Sequence, residues 1–202
     1  MKFNTGHSEI IFHEFFKIEK TRVAWEQFDG TMGTEQNRYV IRRGDSVGII
    51  PVCESNNRII LIKQFRYPAA GKYRDGYLWE IPAGMADGQE DPSETAKREL
   101  LEEIGVEIDE VVPLISFFLS PGALDEFFHL FYTVVPDNHE LGSTGGNKQE
   151  HENLKIAMFE RKEILNMMGR NDIVDGKTIA SLLYFFSRRE GLGNETVRPN
   201  RT

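Results

Sequence analysis

An α/β fold, a mixed sheet sandwiched between helices and preceded by a small antiparallel β appendage, follows from three features of this sequence. Apolar, β-branched runs such as Val47–Val52 and Arg58–Phe65 recur along the chain and read as buried strands. The segment Pro92–Ile104 carries both a start and a stop signal for a helix. Residues 1–45 hold only short strand-like stretches and turn residues. Strands interleaved with a few helices are the pattern of an α/β sandwich.

Taken in order, the N-terminal strands are expected to turn at Phe28-Asp29-Gly30, since Asp-Gly supports a tight hairpin. Val47–Val52 and Arg58–Phe65 flank the polar turn Glu54-Ser55-Asn56-Asn57 and should be neighbours in the sheet. Gly71–Gly76 reads as a loop, and Tyr77–Ile81 as a short strand ended by Pro82. Asp91 can cap the next helix, Pro92 suits its first position, Glu94 stands where a capping box places it, and Gly105 supplies the stop. Leu114–Leu119 and Phe127–Val135 are further strands around Ser120-Pro121-Gly122, and residues 137–153 read as a long loop. One more strand is expected at Lys155–Phe159, then helices at Arg161–Met168 and Gly176–Arg189, the latter capped by Asp175. The division expected is a β region at 1–45, a main domain at 46–190 and a flexible tail at 191–202.

Composition narrows the function classes. The 202 residues carry a net charge of −8 with no basic block longer than a pair such as Arg42-Arg43. Nucleic acid is therefore not an expected ligand, because that binding is driven by phosphate neutralisation. An acidic protein still handles an anionic substrate when a divalent cation lies between them. The single cysteine, Cys53, excludes an intrachain disulfide and reads as a packing residue. No apolar run reaches the length of a membrane span, and residues 1–6 lack a signal-peptide core, so a cytoplasmic enzyme is expected.

On the expected helix, Glu99, Glu102 and Glu103 share one stripe, beside the apolar stripe Ala96, Leu100 and Ile104. Clustered carboxylates offer the hard oxygen ligands that suit Mg²⁺, or Mn²⁺ as a substitute. Taken alone, a solvated charged face explains such a stripe better. The flanking residues shift the balance. Gly84, Glu90, Arg98, Glu99, Leu100, Glu102, Glu103, Gly105 and Val106 fall at G-x5-E-x7-R-E-U-x-E-E-x-G-U, with U a bulky aliphatic. This resembles the box of the Nudix hydrolases at every fixed position.

That resemblance implies a loop–helix–loop that holds divalent metal, inside an α/β/α sandwich. It implies Glu99 and Glu103 as the leading metal ligands, Glu102 close behind, and the Ala83 carbonyl as a further ligand. Arg98 is expected to orient a glutamate or brace the loop, and Glu90 to serve the loop–helix junction, with Gly84 and Gly105 structural. Pro121, 16 residues after Gly105, is similar to the ADP-ribose pyrophosphatase branch, as are the runs Leu61–Pro68, Trp79–Gly84 and Arg43–Val47. By the same resemblance Arg66 reaches the diphosphate or nucleoside, against a plain strand-end arginine. Arg38 contacts the nucleotide, Glu80 accepts from base or ribose, and Glu126 meets the terminal sugar. The Phe15–Phe16 pair has two readings: core packing, which weighs more, and stacking on adenine.

Relatives carry an acidic E-x-E segment where this chain has Gln149-Glu150-His151-Glu152-Asn153, which makes Glu150 the expected base and Glu152 a late metal ligand. A solvated loop with incidental acids is the competing view. Asn153, Ala123 and Phe127 depart from the relatives' pattern. The expected reaction is ADP-ribose and water giving AMP and ribose 5-phosphate, with Glu150 or a box glutamate, Glu102 or Glu103, taking the proton of the attacking water. A homodimer is expected by resemblance, with Arg38 completing the neighbour's pocket. GDP-mannose or another nucleoside diphosphate sugar is the alternative substrate, and a non-catalytic ADP-ribose or NAD-type sensor the alternative class.

Overall fold

The computed structural model describes residues 1–86, 88, 90–136, 141–146 and 153–191, without the side chains of 189–191. The chain divides into two compact units. One is Met1–Asp45 with Phe118–Phe127; the other runs from Ser46 to Phe117 and continues from Phe128.

The first unit is an antiparallel sheet in the order β1-β2-β3, formed by Phe3–His13, Lys17–Trp25 and Gln36–Arg42. Its strands are longer than the sequence suggests, because β1 absorbs two irregularities, at Thr5/Ser8 and Ile10/Phe12, without losing its partner. The Asp29-Gly30 turn is present, with Gly30 at φ 84° and Asp29 accepting from the Thr31 N–H at 2.9 Å. It closes only the isolated Glu26–Met32 bridge within the longer β2–β3 connection. Residues 118–127 join this unit through Ile41, whose N–H donates to the Ala123 carbonyl and whose carbonyl accepts from the Asp125 N–H.

The second unit is an eight-stranded sheet in the order β10-β11-β5-β4-β9-β8, with β6 on β5 and β7 on β4. Its strands are β4 (Ser46–Cys53), β5 (Ile59–Phe65), β6 (Tyr77–Glu80), β7 (Ala83–Met85), β8 (Val112–Phe118), β9 (Phe127–Val135), β10 (Thr144–Gly145) and β11 (Leu154–Phe159). β4 pairs antiparallel with β5 and β7 but parallel with β9, so the sheet is mixed. All eight residues of β4 are buried, as a central strand covered on both faces requires. The expected neighbours β4 and β5 are indeed adjacent.

Among the described residues, three α-helices cover this sheet: α1 (Pro92–Ile104), α2 (Arg161–Gly169) and α3 (Gly176–Gly191). On one face Ala96, Leu100 and Ile104 of α1 pack with Ile60, Ile62 and Phe131. Strand alternation turns Tyr132 to the other face, where its ring lies 5.6 Å from Phe185 of α3. The result is the expected α/β/α sandwich. Cys53 is buried, with its sulfur 3.3 Å from that of Met158. No helix among the described residues is long and apolar enough to cross a membrane.

Candidate active site

Local chemistry sets both ends of α1. The Asp91 carboxylate accepts from the Ser93 N–H at 2.8 Å, Pro92 fills the first turn, and Gly105 adopts the left-handed conformation at φ 72°. Glu94 does not complete the capping box. It pairs with Lys97 at 2.8 Å, one turn along the same face.

Burying Ala96, Leu100 and Ile104 against the sheet draws the neighbouring carboxylate stripe to the edge of that contact. Glu99 and Glu103 are 9% and 2% exposed, and Glu102 is half-buried. Opposite them lies β7. Glu103 Oε2 accepts from the Ala83 N–H at 3.0 Å. The Glu99 carboxylate packs on Gly84 so closely that a β-carbon there would collide with it. Gly84 is thus demanded by space rather than by backbone conformation.

Arg98 ties this stripe to the preceding loop. Its Nη1 donates to Glu99 Oε1 at 2.8 Å and lies 3.5 Å from Glu102 Oε2. Its Nη2 donates to the Met85 carbonyl at 3.2 Å and to Glu90 Oε2 at 3.4 Å. Glu90 also accepts from the Thr95 hydroxyl at 2.9 Å, which joins the loop to the first turn of the helix. Burial works to lower the Arg98 pKa, but the carboxylates of Glu99, Glu90 and Glu102 hold it above its ordinary value.

A second charged cluster stands on the other side of the β6–β7 connection. Arg66 Nε and Nη2 donate to the two oxygens of Glu80, each at 2.9 Å, and Lys177 donates to Glu80 Oε2 as well. Glu80 is only 1% exposed. Burial pushes its carboxyl up, yet Lys177 and Arg66 outweigh that and hold it below the ordinary carboxylate range. Arg66 is likewise pulled down by burial and raised overall by Glu80, with Glu103 and Asp175 contributing. Asp175 caps α3 by accepting from the Thr178 N–H at 2.9 Å, and Thr178 Oγ1 accepts from the Ile81 N–H at 3.1 Å. The short stretch Glu80–Ala83 is therefore clamped by α3 at Glu80 and Ile81 and by α1 at Ala83.

Among the described residues no three Asp, Glu, His or Cys side chains converge as a set able to hold an ion. Arg98 and the Ala83 N–H engage Glu99 and Glu103 instead. The donor set is nonetheless oxygen-rich, largely buried and short of positive charge, which is the chemistry of a hard divalent cation site.

The other expected site residues are distributed as follows. Arg38, Phe15 and Glu126 belong to the first unit. Arg38 lies over the Trp25 ring at 4.8 Å, Phe15 is 89% exposed, and buried Glu126 lies 3.5 Å from Arg43 Nε. Glu150, Glu152 and His151 fall outside the described residues. Lys177 was absent from the sequence-based candidates. The run Asp175-Gly176-Lys177-Thr178 carried the signal, since a charged and hydroxylated first turn on an otherwise apolar helix needs partners.

Comparison with known proteins adds four findings. A family model described as NUDIX domain matches residues 42–182. The chain is 31% identical to a GDP-mannose pyrophosphatase of Yersinia enterocolitica over 185 residues, 91% of this chain and 95% of that protein. It is 25% identical to the ADP-ribose pyrophosphatase of Escherichia coli strain K12 over 187 residues, 93% of this chain and 89% of that one. A solved structure described as an ADP compounds hydrolase superposes with a TM-score of 0.70, covering 96% of this chain and 97% of its own, at 18% identity; that likeness is one of fold.

Proposed function

This chain belongs to the NUDIX domain family, and on that premise we propose that it is a pyrophosphohydrolase of nucleoside diphosphate sugars, with ADP-ribose as its first substrate. The observation that carries this reading is the clamped Glu80–Ala83 stretch, which sets the box carboxylates of α1 and the cations Arg66 and Lys177 around one short turn. Such a surface offers hard oxygens for a cation and guanidinium and ammonium groups for phosphate oxygens.

Glu99, Glu102 and Glu103, with the Ala83 carbonyl and Glu152, would hold Mg²⁺. When bound, that ion would neutralise the diphosphate and make water nucleophilic. Arg66 is kept in a fixed orientation by both oxygens of Glu80, so Glu80 serves to position it rather than to contact base or ribose. Glu150 is the proposed proton acceptor. Arg38, Phe15 and Glu126 are the proposed nucleotide and sugar contacts, completed by a second copy of the chain. Support for assembly comes from β1, exposed along its whole length with Phe3, Ile10, Ile11 and Phe12 open to solvent.

A second reading, GDP-mannose as substrate, draws on the 31% identity to a protein of that name. Product chromatography with Mg²⁺ and a panel of ADP-ribose, GDP-mannose, UDP-glucose and ADP-glucose separates the two. AMP should form first, and Glu103→Gln should slow its release by roughly two to four orders of magnitude. Preferential GMP release would keep the chemistry and replace the substrate. Tight ADP-ribose binding without turnover would leave a sensor.

A further inference from the structure

A cleft of about 350 Å³ opens on the second unit, lined by β5, β6, the loop before β6, and α2. It lies on the sheet face away from the box helix. Ile60 and Ile62 pack under α1, so alternation turns Lys63 to the opposite face. Trp79 is paired with Lys63 and therefore shares that face; Phe159, paired with Ile59, does too.

Its lining combines flat rings with three cations, Lys63, Arg74 and Arg170, set among three acids, Asp75, Glu163 and Asp172. Trp79 and Phe159 meet edge to face at 5.0 Å, and Tyr73 and Tyr77 add two more rings. The Lys63 ammonium stands 5.9 Å from the centre of the Trp79 ring, and no carboxylate among the described residues pairs with it. Arg74 and Arg170 both lean on one carboxylate, Asp172, at 2.8 and 3.0 Å, so one guanidinium is in excess. The other two acids of the lining are held by the backbone: Asp75 accepts from the Tyr77 N–H, and Glu163 stands in the first turn of α2, where the helix dipole favours it.

The rims are strained as well. Arg74 at φ 46° and Asn171 at φ 57° are two of the three described non-glycine residues with positive φ. The Tyr73 hydroxyl, next to Arg74 in the chain, donates to the Asn171 carbonyl at 2.5 Å. Strain of this kind persists where surrounding structure enforces it, and it gathers at binding sites.

We propose that this cleft binds a nucleoside monophosphate, its base against Trp79 and its phosphate between Lys63 and the Arg74–Arg170 pair. Aromatic walls take any nucleobase, and two cations suit a phosphate monoester. The volume lies at the lower end of small-ligand sites, enough for a mononucleotide and tight for a dinucleotide-sized substrate. Hydrolysis of a nucleoside diphosphate sugar releases such a monophosphate, so the cleft would sense product; only that link rests on the proposed function.

The chain has two tryptophans, Trp25 and Trp79. In a Trp25→Phe protein with EDTA present, Trp79 fluorescence should change saturably with AMP or GMP and respond more weakly to adenosine or inorganic phosphate. Lys63→Gln and Arg170→Gln should each weaken AMP binding roughly tenfold, the loss of a hydrogen bond to a charged group. Glu103→Gln should leave the titration unchanged. No saturable change with AMP, an equal response to adenosine, or a loss in Glu103→Gln matching that in Lys63→Gln would overturn the proposal. Because the readout is binding without metal, an inactive but AMP-responsive protein would overturn the hydrolase reading alone.

Discussion

Glu80 is nearly inaccessible yet ionised, because Lys177 and both guanidinium donors of Arg66 more than offset the cost of taking its charge out of water. Its folded pKa lies below the ordinary value of 4.5. The stability it contributes is thus present above that value and is lost as pH falls through the lower, folded one. Glu80→Gln resembles the protonated acid in being neutral. Urea midpoints near pH 7 should show the variant less stable, by about 3 kcal/mol if the stranded Lys177 stays buried. The gap should narrow as pH drops below about 4. A gap that stays constant as pH falls well below 4.5 would mean that Glu80 contributes packing rather than charge. The pairing of Glu80 with Lys177 was not legible in the sequence, since that partner is 97 residues away.

At the scale of elements, α1 could be read to the residue because its ends are local chemistry. Asp91, Pro92 and Gly105 act on atoms within one turn, and the observed helix is the expected Pro92–Ile104. The exception is Glu94, where an available Lys97 competes with the distant backbone N–H of the capping box. β7 and β10 were not foreseen. Three-residue and two-residue strands leave no periodic signal, and they exist only because β4 and β11 offer unpaired edges. Removing the cap of α1 should therefore act on the helix before it acts on the sheet. Asp91→Ala is expected to cost about 1 kcal/mol in chemical denaturation. Hydrogen exchange should speed up first at Ser93 and its neighbours, not in β4. Uniform acceleration across both elements would show that the cap matters to global folding only.

For the molecule as a whole, the mixed sheet and the adjacency of β4 and β5 were expected from the apolar runs, but the strand order and the joining of residues 118–127 to the N-terminal unit were not. That union depends on Arg42 and Arg43 meeting Asp125 and Glu126, pairs more than 80 residues apart that pattern reading cannot match. If a second copy completes each site, Arg38 of one protomer and Glu103 of its partner serve the same site. Arg38→Ala and Glu103→Gln proteins should then each be weak alone, yet co-expressed they should form mixed dimers holding one site with both native residues. In a two-fold dimer with random pairing, about a quarter of all sites regain both, so specific activity should return to about a quarter of the native level. An arginine serving its own chain's site would give no such recovery, because every site would still lack one residue. Activity at the sum of the two variants, with the dimer confirmed by light scattering, would place Arg38 in its own protomer's site and remove the assembly requirement from the mechanism.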